Sequence, residues 1–99
     1  MQDPDEILKE IEALLPGWRK LNANGNSHTW EKGTVWVTFR PGNLVCCEIG
    51  TPHLGMTTDH GATATEAFSR ALRLATVNAR ADKERLDAQV QEIEALNGR

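Results

Sequence analysis

Large aliphatic and aromatic side chains are scarce in this sequence. Leu, Ile, Val and Phe together number 21 of 99 residues, close to the ~20% level below which a fixed fold becomes doubtful. Three tryptophans and 11 alanines offset part of the deficit, and the formal net charge is only −3. A folded domain with a thin core is expected, one that relies on tryptophan and on close alanine contacts between helices. The length of 99 residues allows a single domain, 1–99. A domain of that size buries only about two-thirds of its surface, so partner binding or self-association is a natural supplement.

Other absences exclude whole classes. No run approaches the ~18 apolar residues of a membrane span. The opening Met1-Gln2-Asp3-Pro4-Asp5-Glu6 is acidic and lacks the basic and then apolar regions of a secretory signal, so a cytoplasmic chain is expected. The only cysteines, Cys46 and Cys47, are adjacent and cannot form a disulfide framework; they suit a reducing compartment. Lys and Arg number 11 against 14 acids, which argues against a general nucleic-acid binder.

The acidity is concentrated at the start. Asp3, Asp5, Glu6, Glu10 and Glu12 stand against Lys9 alone within the first 15 residues. Those acids either line a solvated helix face near its favourable N-terminal dipole or form a patch that meets a basic partner.

Apolar spacing identifies the elements. Ile7, Leu8, Ile11, Leu14 and Leu15 form one helical stripe. Asp3 supplies an N-cap ahead of Pro4, with Glu6 three residues on, and Pro16-Gly17 ends the helix. Trp18–Asn22 reads as a short strand or an extended entry segment. Alternation then marks three strands: His28–Glu31, Thr34–Arg40 and Leu44–Ile49. A two-residue Lys32-Gly33 turn would set Trp30 opposite Val35 and Thr29 opposite Trp36. A three-residue Pro41–Asn43 loop would set Arg40 opposite Leu44 and Phe39 opposite Val45. Both turns place Trp30, Val35, Val37, Phe39, Val45, Cys47 and Ile49 on one face, the core face. Trp36, Thr38, Arg40, Leu44 and Cys46 fall on the other, where Leu8, Ile11 and Leu15 of the first helix are expected to cover Trp36. Gly50–Ala62 is read as a long loop.

From Thr63 to about Leu96 there is no Gly or Pro, and strong helix formers dominate. Thr63 to Glu66 reads as a capping box. Leu72, Ala79, Leu86 and Ile93 recur every seven residues, and Thr76-Val77-Asn78 is the weakest stretch. The fold expected is therefore α+β: a helix, an antiparallel meander of three to four strands, and a long C-terminal helix. The compact part spans about 3–78 and a helical extension about 79–97.

Chemistry-bearing residues are few. Cys46, Cys47, His53 and His60 are zinc-type ligands, but adjacent strand residues point to opposite faces and no CxxC or HxxxH spacing exists, so no metal is expected. Ser27-His28 and Asp59-His60 supply the residue types of nucleophilic catalysis without any elbow or Cys–His signature. No enzyme activity and no cofactor is expected. The helix start at His60–Thr63 offers N–H groups to an anion, although Thr63 and Glu66 can cap them. Arg70, Arg73 and Arg80 line one helix face with Glu66 and Glu84 among them, a salt-bridged stripe. With Arg40 those arginines make nucleic-acid or nucleotide binding the alternative function. An uncovered Trp36 beside Arg40 would be a contact hot spot.

The order of helix, antiparallel meander and helix is that of the double-stranded-RNA-binding domain. Thr63-Ala64-Thr65-Glu66-Ala67 stands where that domain carries basic residues, which removes its function. Leu14-Leu15-Pro16-Gly17-Trp18, the Trp30–Trp36 hairpin and Ala62–Leu72 resemble the small phage-encoded ABA-sandwich proteins over roughly residues 5–75. That resemblance implies a phage accessory protein without known catalysis, of the size and acidity of inhibitors of host defence such as anti-CRISPR proteins. The expected function is a non-enzymatic protein-binding module that masks a basic nucleic-acid-binding surface of a host complex. Asp5, Glu6, Glu10, Glu12, Glu84, Asp87, Glu92 and Glu94, with Trp36 and Arg40, would carry it. A homodimer through Leu86, Val90, Ile93 and Leu96 is a further alternative.

Overall fold

A computed structural model describes residues 4–21, 25, 27–52 and 55–98. The order is α1 (Pro4–Leu14), β1 (Arg19–Lys20), β2 (His28–Lys32), β3 (Val35–Arg40), β4 (Val45–Thr51), β5 (Gly55–Gly61) and α2 (Ala64–Asn97). The five strands form one antiparallel meander in chain order. The protein is α+β. The Asp3 cap lies outside the described residues.

Both hairpins close two residues away from the expected register. Lys32 pairs with Val35, and Trp30 with Val37. Gly33 carries φ +62°, the left-handed value that a primed two-residue turn needs at its first central position. The turn is therefore Gly33-Thr34 and not Lys32-Gly33. Arg40 pairs with Cys46 and Phe39 with Cys47. Pro41 has no N–H to add to the ladder, and Leu44 stays outside it, 56% exposed. A shift of two leaves every side chain on its expected face, because the strand period is two.

The Gly50–Ala62 segment is not a loop. Most of it is β5, which pairs with β4 from Val45–Gly61 to Thr51–Gly55. Its sequence, GMTTDHG, has a single large apolar residue. It holds its place through the ladder and through α2, where Asn78 Nδ2 donates to Thr57 Oγ1 at 3.3 Å.

The two helices share one face of the sheet. Ile7, Ile11 and Leu15 of the α1 stripe join Trp30, Val37, Phe39, Val45, Cys47 and Ile49 in one core, with Ala64, Ala67 and Ala71 of α2. The aromatic spine runs from Trp30 edge-on to Phe39, 6.2 Å between ring centres, and on to Phe68 at 6.3 Å. Alanine on α2 lets that helix lie close to the sheet. The expectation that α1 covers Trp36 on the opposite face is overturned. Its stripe is buried instead in the core shared with α2, and a link between the helices goes with that placement: Glu10 Oε2 accepts from Thr65 N at 2.7 Å and from the Thr65 hydroxyl.

α2 is continuous through Thr76-Val77-Asn78, where the Thr76 hydroxyl donates to Leu72 O at 2.8 Å. Beyond Asp82 every described side chain up to Leu96 is exposed. The protein measures 63 × 23 × 21 Å, long because α2 outruns the sheet.

Candidate functional site

With both helices on one side, the second face of the sheet is uncovered. Cross-strand pairing arranges it in rows, since directly opposed residues share a face. One row runs Arg19, Glu31, Trp36, Gly50, Met56. The next holds Thr29, Thr38, Glu48 and Thr58, and a third Arg40, Cys46 and His60.

Trp36 is half-buried although no helix touches its face. It lies against Gly50, whose missing side chain makes the room: a Cβ there would stand 2.6 Å from the indole nitrogen. Met56, 63% exposed, flanks Gly50 on the other side. Ion pairs frame this apolar centre. Arg19 pairs with Glu31, and Arg40 with Glu48. Arg40 Nε also donates to Ser27 Oγ at 3.1 Å. The hydrogen bond to Glu48 and its charge push the Arg40 guanidinium above its ordinary range. Thr29 and Thr38 join their hydroxyls at 2.8 Å. The result is a face with an aromatic centre and a polar frame.

The cysteines divide as adjacent strand residues must. Cys47 is in the core; burial first, then Cys46 and Glu48, pushes its thiol up to about 12. Cys46 is half-buried on the uncovered face, between Arg40 and His60. Among the described residues no three His, Cys, Asp or Glu side chains gather where a metal could bind; His53 lies outside those residues. The donors at the start of α2 are already used. Thr63 Oγ1 caps Glu66 N at 3.1 Å, and Glu10 takes Thr65 N.

The acids do not form one patch. Glu10 serves α2, while Asp5, Glu6 and Glu12 are exposed on α1. Glu84, Asp87, Glu92 and Glu94 are exposed on the far half of α2. About 28 Å of helix separates Thr65 from Glu84 at ~1.5 Å per residue. Of the arginine stripe, Arg70 pairs with Glu66 at 2.8 Å and donates to His60 O at 3.0 Å. Leu86, Val90, Ile93 and Leu96 are exposed on α2.

Sequence reasoning placed Trp36 and Arg40 on this face but missed Gly50, Met56 and His60 as their neighbours. The signal was the alternation of Met56, Thr58 and His60 with Thr57 and Asp59, too polar to read as a strand. Among the described residues no helix is long and apolar enough to cross a membrane. No protein-family model matches the chain, and neither a curated protein nor a solved structure matches it.

Proposed function

We propose that this protein is a non-enzymatic protein-binding module that presents its uncovered sheet face, centred on Trp36, to a protein partner. The observation that carries this reading is the placement of both helices on one side of the sheet, which leaves Trp36 and Met56 facing outward inside a frame of ion pairs. Tryptophan and arginine in such a setting are the residues that most often dominate binding energy, with a polar rim that excludes water. The meander is also pre-ordered, so little entropy is lost on docking.

The narrower form of the proposal is a phage-encoded inhibitor that masks a basic surface of a host defence complex. Its support is the resemblance to small phage proteins and the exposed acids Asp5, Glu6, Glu12, Glu84, Glu92 and Glu94. Capture of partners from a bacterial lysate tests both forms. Capture that Trp36→Ala abolishes, and that persists at high salt, supports the sheet face. Capture that survives Trp36→Ala but disappears at high salt or on neutralising the acids assigns binding to the charges instead. Capture of nucleic acid alone by the wild-type chain overturns the proposal.

A further inference from the structure

α2 carries a second uncovered surface, independent of Trp36. Leu86, Val90, Ile93 and Leu96 are 59%, 43%, 59% and 64% exposed. At ~3.6 residues per turn they continue the stripe that upstream carries Ala71, Ala75 and Ala79 onto the sheet. A mostly apolar face therefore runs on for about four turns without cover, interrupted by Asp82, which Arg85 holds, and by Gln89. At its root lies an apolar cavity of about 240 Å³, lined by Val35, Ile49, Ala75 and Ala79 among others.

The charges beside this stripe say what covers it. Lys83 and Glu94 lie on one flank, Arg85 and Glu92 on the other, by the same helical spacing. On both flanks the base is nearer the sheet and the acid nearer the tip. In a parallel helix pair, each flank meets the opposite flank of its neighbour at the same level. Lys83 would then meet Arg85 and Glu92 would meet Glu94, like against like. In an antiparallel pair each flank meets its own copy reversed. Lys83 of one chain then meets Glu94 of the other, and Arg85 meets Glu92. Both pairings require the same two-fold position, between Ala88 and Gln89.

We propose that a second copy of this chain docks antiparallel along Leu86, Val90, Ile93 and Leu96, about a two-fold axis between Ala88 and Gln89. Leu96 of each copy then reaches the mouth of the other's cavity beside Ala79. Within one chain Lys83 holds Asp87 at 3.2 Å and Arg85 holds Asp82. Both basic side chains remain about three-quarters exposed and keep donors free for a second acid.

Sedimentation of the full chain under reducing conditions, over a wide concentration range, is the test. The expected species has twice the 11.0 kDa chain mass. Glu92→Lys with Glu94→Lys sets like charges together in the antiparallel pair and is expected to weaken dimerisation at least ~10-fold. Mixing that variant with Lys83→Glu/Arg85→Glu is expected to restore a one-to-one dimer. Ile93→Asp should leave only the single chain. These positions are exposed on a helix beyond the core, so circular dichroism should show an intact fold in each variant. A chain that stays at 11.0 kDa at every concentration overturns the proposal. So does an assembly larger than two, or a dimer that Glu92→Lys/Glu94→Lys leaves unchanged.

Discussion

The indole of Trp36 occupies the space that a side chain on Gly50 would fill, directly across the β3–β4 ladder. Gly50 thus seats the large aromatic ring that the uncovered face presents. Gly50→Ala forces the ring outward or the strands apart. We expect a loss of about 1–3 kcal/mol, as for other insertions into filled space. Urea unfolding measures it, with a change in tryptophan emission that Trp36→Phe removes.

The two thiols should react on different clocks. Cys46 is partly exposed on the uncovered face, whereas Cys47 is buried and its thiol is pushed up to about 12. Thiolate is the reactive form. A disulfide reagent at neutral pH should modify one thiol per chain promptly. The second should react only at the rate of unfolding, and Cys46→Ser should remove the prompt phase. Two prompt equivalents would contradict the core placement of Cys47.

Acid should weaken the fold through His28. Its Nδ1 is buried without a hydrogen-bond partner. Burial first, and Lys20 second, lowers its pKa below the ordinary 6.5. The unfolded chain therefore binds a proton that the folded chain refuses, and stability falls as pH drops below 6.5 toward the folded value. The contribution is fully present above 6.5. His28→Gln should flatten this part of the stability profile, read as midpoint temperature between pH 7 and pH 5.

Glu10 is expected to matter more for helix placement than for surface charge. Its carboxylate receives both the amide and the hydroxyl of Thr65. Glu10→Gln keeps an acceptor but loses the charge at the start of α2, and should cost about 0.5–1 kcal/mol. Glu10→Ala should cost about 1–2 kcal/mol, as for loss of a helix cap. Thermal unfolding of the two variants, each with and without Thr65→Val, separates the shared contact from independent effects.

Much of the fold is legible in the residues, and the gaps have physical causes. Apolar spacing marks α1, α2 and β2 to β4, and the two-residue strand period protects the faces even where both turns are displaced. β5 is hidden because Thr57 and Asp59 face α2 where apolar residues would have signalled a strand. The side taken by α1 is hidden for another reason. Ile7, Ile11 and Leu15 would suit either face, and the choice rests on long-range packing, with the Glu10–Thr65 contact beside it, that apolar spacing does not encode. The uncovered face goes with that choice, so its members Trp36, Thr38, Arg40 and Cys46 are legible in the strand alternation, whereas its openness is not.

The Glu10–Thr65 contact also bears on how the chain must close on itself. The two residues are 55 positions apart, and the meander lies between them. α1 is made before the part of α2 that Glu10 meets. α1 is too short to be stable alone, since isolated helices of fewer than ~12–15 residues are marginal in water. Its apolar stripe gains cover only from residues far along the chain, Trp30, Val37 and Phe39 of the sheet and the alanines of α2. Closing a loop of this length is a non-local contact of the kind that slows folding.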